Sequence, residues 1–520
     1  MKRRSLPAVW VAPVLFFAFS FLLVSCGNNF FFAGRNLPPS GVLNRVLIAE
    51  QNPSALSKGA LPFVDAFYDI RHAFNNSTGP SFSISGFSGA LPLTIQNMPE
   101  EQTGGVYSTG DGSFTLVSYA QEKTTGPVTI PGGFATSVFI TQDEKYLYAA
   151  NPATHVISVE DVVNKVPYVL NLPNVYHVAV NPGGTVVLAF VQNSTQTPST
   201  SSCITSTGYS PQNPSGPQPT CAAPQGQFSV YSVVHLTSAQ STAAANNPNY
   251  LGAQDCEPQN LPQFCAFPVS TGANATFNNP VKAVFSPDGS TVYVLNCGPE
   301  CGSPSPSSGA SPTPATSASL TVIPITTSAL NNSSEGASGI NLVAQSNVLV
   351  PGGATDATFN GNTLYVAGQQ LQADGLFAGN LSAVNTGTTP AQLTGTYSIS
   401  DGTHNKMVFA DNSTLWIGSS QCQLGERYKQ VQAGANIPYG CMTMFNTSNN
   451  SVLIESYKGD GTGVTAVTGL NKVYTAEGGQ IYIYNTTDGS ARDNTNVTVT
   501  GTAVDVAYMD APSDADNTTY

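Results

Sequence analysis

With 520 residues, 41% of them hydrophobic and only 9% charged, together with 48 Gly and 37 Pro, the chain suits many short strands joined by turns and excludes a coiled coil or a charged disordered tail. Its formal charge of −13 argues against nucleic acid as a partner, because a phosphate-binding surface needs clustered Lys and Arg that are missing here. Related segments recur along nearly the whole length, which favours one large closed domain over a string of small ones.

The N-terminus reads as an address. Lys2, Arg3 and Arg4 precede an almost wholly apolar run over residues 6–24, and Leu23-Val24-Ser25-Cys26 is followed by Gly27. This pattern is similar to a bacterial lipoprotein signal peptide with its lipobox. The resemblance implies that residues 1–25 are removed and that Cys26 carries a diacylglyceryl group on its thiol and a further acyl chain such as palmitate on its amine. Two or more acyl chains hold a protein stably to a bilayer where one is marginal. An uncleaved transmembrane anchor is the alternative, since the run is about long enough to span. The small residue before the cysteine favours processing. Cleavage removes three basic residues and no acidic one, taking the formal charge from −13 to −16. Such a chain repels anionic head groups, so contact with the membrane is expected through the acyl chains alone. Residues 26–42, with Asn28, Asn29, Pro38, Pro39 and Gly41, read as a tether. Within it, Phe30-Phe31-Phe32 is expected to pack under the folded domain or into lipid.

The domain itself, expected over residues 43–511 with a tail at 512–520, is organised around residues 281–297, VKAVFSPDGSTVYVLNC. An apolar run meets the turn Ser286-Pro287-Asp288-Gly289 and is answered by a second run rich in β-branched and aromatic residues, which is a hairpin of buried strands. Related pairs start at Thr136, Val175, Ala354, Asn405 and Gly463. A sheet module with no self-sufficient core has to stack on its neighbours, so the chain is expected to close as an all-β propeller of four-stranded blades. First strands lie near Leu93, Val138, Val178, Ala283, Ala357, Met407, Thr465 and Val506, which makes eight blades, or seven if the weak run at Leu93 is not an inner strand. The run from Ala503 has no second strand after it, and the run from Arg45 to Ala49 has no first strand before it. Pairing them closes the ring and removes an exposed edge.

The hairpins resemble the YVTN family of β-propellers, and more loosely lactonase-type propellers. The resemblance rests on Ser286-Pro287-Asp288-Gly289-Ser290-Thr291-Val292-Tyr293-Val294-Leu295-Asn296 and on Tyr146-Leu147-Tyr148-Ala149-Ala150-Asn151. It implies a periplasmic or surface location and repeat-mediated interaction, with no shared catalytic residues to carry over. The turns near Ala354 and Gly463 depart from the motif.

Second-to-third strand connections are lengthened at 191–226, 296–318, 368–379 and 419–440. These emerge on one face of a propeller, and binding surfaces are commonly built from such loops on a rigid scaffold. For residues 303–317, rich in Ser, Pro and Thr, disordered decoration is an equal reading. Beyond Cys26 the eight cysteines fall into neighbours: Cys203 with Cys221, Cys256 with Cys265, Cys297 with Cys301 and Cys422 with Cys441. An even count in an exported chain suggests disulfides, and the local pairing, one of 105, is preferred because three of the pairs would staple one lengthened loop each. Cys256 with Cys265 is expected between third and fourth strands, on the opposite face. Metal binding by Cys297-x-x-x-Cys301 is the rival, disfavoured by the absence of a nearby His and by an oxidising compartment. No metal or other cofactor is expected, and a CxxCH haem signature is absent.

One constellation could carry chemistry. Aligning first strands on their turns puts Ser137, His177, Lys282, Asp356, Lys406 and Asp505 at one position, facing the mouth of the central channel. A His beside acids and lysines could do acid/base work, but a hydrated structural lining is the favoured reading. No nucleophile motif or phosphate loop is present. The expectation is therefore a lipid-anchored, disulfide-stapled propeller of the bacterial cell envelope that binds an envelope protein or a glycan through its looped face, without catalysis. The alternative is a hydrolase or lactonase using His177 with Asp356 or Asp505.

Overall fold

The computed structural model describes residues 38–509 apart from 57, 72–81, 99–101, 182–183, 193–202, 205–219, 222–227, 248–249, 299–317, 326–340, 372–375, 411–412 and 468. Cys26, Phe30-Phe31-Phe32, the tail at 512–520 and most of the insertions at 191–226 and 296–318 lie outside the described residues.

The organising hairpin forms as its sequence dictates. Strands Pro280–Phe285 and Thr291–Asn296 pair antiparallel with Ala283 opposite Val294. In the turn, the Asp288 carboxylate accepts the Ser290 N–H at 3.0 Å while Gly289 takes a left-handed φ of +68°, a conformation that costs any residue with a Cβ. Repetition of this unit gives eight sheets. Blade 1 is composite: Thr502–Tyr508 is its inner strand and Arg45–Gln51 its second, with Gly59–Ala60 and Phe63–Asp65 sharing the outer flank. Blades 2, 3, 6, 7 and 8 are four-stranded and span residues 92–128, 137–171, 356–398, 403–454 and 461–497. Blades 4 and 5, at 175–268 and 270–349, each carry a fifth outer strand, Asp255–Glu257 and Ser270–Asn274. The run at Leu93 is an inner strand, Pro92–Met98, so the ring has eight blades.

Closure occurs where head and tail of the chain meet, with Val46 opposite Tyr508, Ile48 opposite Val506 and Ala49 opposite Asp505. The apolar core is correspondingly divided. Eight buried clusters each join two neighbouring blades, from blades 1 and 2 (Leu47, Phe63, Ile95, Val106) round to blades 8 and 1 (Tyr474, Ile481, Val46, Val506). Apart from a smaller cluster within blade 4 (Val234, Leu236, Tyr250, Phe267), the apolar core of the described residues lies between blades, so most of its burial requires the complete ring. Buried polar contacts reinforce blade 1 on both flanks. Arg45 meets Glu122 at 2.8 Å on the blade 2 side, and Lys472 meets Asp69 at 2.7 Å on the blade 8 side, where the Tyr474 hydroxyl also donates to Asp69.

Two sequence expectations change. The connection at 368–379 is largely strand, because Thr363–Leu371 and Phe377–Asn385 stay paired as far as Leu371 opposite Phe377. Glycines permit it: a Cβ on Gly368 would lie 1.1 Å from the Gly353 carbonyl oxygen and one on Gly379 1.8 Å from that of Ser400, so the extended hairpin lies flat on neighbouring backbone. At the end of the expected tether, Ser40 already donates from its backbone and hydroxyl to Glu122 at 2.8 and 2.5 Å, and Val42 is buried in the cluster between blades 1 and 2.

Candidate functional site

Ladder register defines one equivalent position on all eight inner strands. Thr94, Ser137, His177, Lys282, Asp356, Lys406, Gly463 and Asp505 lie opposite Tyr107, Ala150, Phe190, Leu295, Ala367, Gly418, Ala476 and Ala49, the same point of each second strand. In six blades a register shift skips the preceding residue, and in blades 3 and 6 the inner strand begins at the position itself. A bulge at this point bends the strand end and re-aims the side chain that follows it, which is how so varied a set comes to share one level of the ring.

The side chains at that level bind one another across the blades. Lys282 is paired with buried Asp356 of the next blade. Lys406 reaches over blade 8 to Asp505 at 2.9 Å, and the same carboxylate oxygen accepts the Ile95 N–H of blade 2 at 2.9 Å. The reach over blade 8 is possible because its own member is Gly463. A Cβ there would sit 2.8 Å from the Cα of Asp505. The Ser137 hydroxyl accepts the Val178 N–H at 2.7 Å, and Gln96 brackets Ile140 with bonds of 2.6 and 3.0 Å. His177 makes no hydrogen bond among the described residues. It stacks on Phe190 with ring centres 5.4 Å apart, and enclosure, then the neighbouring charge of Lys282, holds its pKa down to about 4. His404, two residues before Lys406, is buried with Nε2 2.9 Å from the Ser400 carbonyl and Nδ1 without a partner. Burial pushes it also down to about 4, with the Ser400 bond and the charge of Asp356 opposing. The aspartates expected beside His177 are thus already bound to lysines. Both histidines are neutral at pH 7. Among the described residues no group of three or more His, Cys, Asp or Glu is placed to hold a metal ion.

Strands alternate in direction, so second-to-third connections share a face with the connections between blades, and inner strands begin there too. The insertion of blade 7 is the best-built feature on that face. Cys422 is bonded to Cys441 across its base. A short helix, Glu426–Gln432, is fixed to blade 6 by the Arg427 N–H on Asp401 at 2.7 Å and by the Arg427 side chain on the Ile399 carbonyl at 3.1 Å. On the other side the Gln421 N–H donates to Asp460, just ahead of blade 8, at 2.7 Å. The insertion ends at Gly440, where a Cβ would meet the Glu455 carbonyl oxygen at 1.9 Å. Tyr439 of this insertion lies between Tyr428, tilted by 35° against it with ring centres 5.1 Å apart, and Tyr457 of the next connection, stacked on it at 5.0 Å.

Cys256 is bonded to Cys265, but across the fourth and fifth strands of blade 4, because Phe264–Pro268 takes the place beside the third strand. Cys297 is disulfide-bonded, and Cys301 lies outside the described residues. Cys203 and Cys221 face each other in a two-stranded ribbon. Sequence reasoning missed Thr94, Gly463, His404 and the row of three tyrosines. The first two stand at the aligned position behind a skipped residue, a signal that a gapped alignment of the inner strands could have found. The tyrosines come from two separate loops with no common spacing.

No protein-family model and no curated protein sequence matches the chain. Solved structures do. Dihydro-heme d1 dehydrogenase NirN in complex with DHE is 9% identical, with 92% of this chain and 80% of that one covered at a TM-score of 0.50. AztD of Citrobacter koseri is 11% identical, with 89% and 97% covered at 0.46. The periplasmic gluconolactonase PpgL of Pseudomonas aeruginosa is 11% identical, with 90% and 99% covered at 0.44. At these identities the likeness is one of fold, a β-propeller, and it transfers no chemistry.

Proposed function

We propose that this chain is a lipid-anchored, extracytoplasmic propeller that works as a non-catalytic binding module through its loop-rich face, its partner an envelope protein or a glycan. The observation that carries the reading is the blade 7 insertion, closed by Cys422 and Cys441 and fastened to both neighbouring blades. A surface loop held this firmly loses little further freedom when it meets a partner, which is the condition for tight recognition. Disulfides support an oxidising compartment, and the lipobox ending at Cys26 supports anchoring there by acyl chains. The ion pairs of Asp356 and Asp505 support a latching role for the polar ring. The alternative, a hydrolase or lactonase at the channel mouth, draws its support from His177, which is neutral and without a hydrogen bond among the described residues.

The test replaces residues 423–439 by a short Gly-Ser bridge, keeping the disulfide, and compares capture of envelope components from mild detergent extracts. Loss of capture with an unchanged melting transition is the expected result, and undiminished capture refutes the reading. A Cys26→Ser variant is expected to lose palmitate labelling and membrane association. An unlabelled wild type would remove the anchor. Ester or lactone hydrolysis that disappears in His177→Ala would establish the alternative.

A further inference from the structure

The row of three tyrosines, Tyr457 stacked on Tyr439 and Tyr428 tilted against it, forms a surface whose chemistry is more specific than that of a generic docking loop. Tyr439 is the middle ring, and the two end rings, Tyr428 and Tyr457, are 36% and 45% exposed. Rings covered on one face by the stack and still this exposed offer their other faces to whatever approaches. Around them stand polar groups with unfilled capacity among the described residues. The Tyr439 hydroxyl and the Gln423 side-chain carbonyl are buried without partners. Asp460 has one carboxylate oxygen bound, to the Gln421 N–H. The whole assembly is held by the disulfide and by its bonds to blades 6 and 8.

We propose that Tyr428, Tyr439 and Tyr457 form a sugar-stacking subsite that binds an uncharged glycan. This rests on the binding reading above and deepens it. A pyranose ring has an apolar C–H face that continues an aromatic stack, and hydroxyls at its rim that donate to carboxylates and also accept. Unfilled acceptors beside exposed ring faces ask for that pairing of properties. A proline-rich peptide would match the rings and accept from the Tyr439 hydroxyl, but its proline nitrogens cannot donate to the Asp460 carboxylate or the Gln423 side-chain carbonyl. The Asp460 carboxylate, on a chain of net charge −13, repels uronic acid polymers and phosphorylated glycans, which leaves neutral ones.

The test uses the intact purified protein and affinity electrophoresis or calorimetry with laminarin, mannan, xylan and dextran, with polygalacturonate as the anionic control and oligolysine as the basic peptide control. Binding of at least one neutral polysaccharide is expected, little changed between 50 and 500 mM salt, weakened about tenfold or more by Tyr457→Ala and by Tyr428→Ala and retained by Tyr457→Phe. A ring-stacking contribution predicts that pattern, because phenylalanine keeps the face and loses only the hydroxyl. Equal melting transitions in all variants keep the comparison one of binding. Failure of wild type to bind any of the four neutral polymers overturns the proposal, as does binding unaffected by both alanine variants. Binding of oligolysine alone, lost at 500 mM salt, also overturns it in favour of a basic protein partner. If the Gly-Ser bridge variant loses partner capture while both alanine variants retain it, the binding reading stands and the glycan reading falls.

Discussion

The ion pair of Lys406 with Asp505 spans the last joint of the ring, and removing it should show how far side chains at the inner level hold the ring closed. Asp505 is 1% exposed and serves three donors: Lys406 Nζ at 2.9 Å, the Ile95 N–H at 2.9 Å and its own neighbour Val506 N–H at 3.0 Å. Asp505→Ala strips all three and leaves the Ile95 amide buried without an acceptor. Breaking a buried pair from one side costs about 3–5 kcal/mol, and since the Lys406 side chain is 21% exposed and can turn to water, the lower end applies. Asp505→Asn keeps an acceptor for Ile95 and gives up only the charge, a loss of about 2 kcal/mol. Lys406→Met removes the other partner. In a double-mutant cycle with Asp505→Asn the two should couple by about 1–3 kcal/mol. Chemical denaturation gives the totals, and native-state hydrogen exchange gives the location, with faster exchange expected over 45–51 and 502–508. Additivity of the two substitutions to within about 0.5 kcal/mol would refute the latch, because it would mean the charges do not sense each other.

Three further outcomes follow from the same geometry. Gly463→Ala should destabilise by about 1–3 kcal/mol, as its Cβ would press on Asp505 Cα at 2.8 Å, and thermal denaturation at the level of wild type would show that the close approach is not required. His404, pushed down from 6.5 to about 4 by burial, contributes stability that is complete above pH 6.5 and lost as pH falls towards 4, about 3 kcal/mol in all. His404→Gln, which can still donate to Ser400, should therefore lose less stability than wild type between pH 7 and 4.5 in denaturant titrations. Glu477, buried with its carboxyl pKa raised, has the opposite sign, so Glu477→Gln should remove a stabilisation that grows as the solution is acidified through the ordinary carboxylate range.

Much of this architecture could be read from the chain because it rests on short-range signals. Runs such as Val292-Tyr293-Val294-Leu295 between turn residues carry strand, burial and hairpin at once, and the unmatched strands at both termini point to closure. The inner level of the ring was legible at the six positions with a distinctive side chain. It was not legible at Thr94, an ordinary strand residue, or at Gly463, whose contribution is the absence of a side chain. Residues 368–379 look like a loop because Gly, Gln and Asp carry weak strand preference. Residues 368–371 and 377–379 are strand because two glycines let the backbone lie against its neighbours, a tertiary effect. The tyrosine stack lies beyond sequence reading for a different reason. Tyr428, Tyr439 and Tyr457 meet only after the disulfide, the Gly440 contact and the blade 7 sheet have brought two loops together.

That assembly ties the outer face to the inner ring, and the disulfide offers a way to measure how strongly. Asp460 holds the insertion through Gln421 N–H, and one residue later begins Gly461–Val467, the inner strand that carries Gly463 beneath the bridge from Lys406 to Asp505. Removing the disulfide with Cys422→Ser and Cys441→Ser frees a loop closed over a sequence separation of 19, worth about 3 kcal/mol by loop entropy. If the insertion were independent decoration, hydrogen exchange would rise only over 421–441. Because Asp460 belongs to both structures, loss of the anchored loop should also loosen 461–467 and, through the Lys406 bridge, 502–508. Exchange unchanged in those two strands would separate the binding face from the closure of the ring. Faster exchange in them would mean that whatever engages the tyrosines also tightens the joint where the chain begins and ends, by the reciprocity that links any two sites sharing one equilibrium.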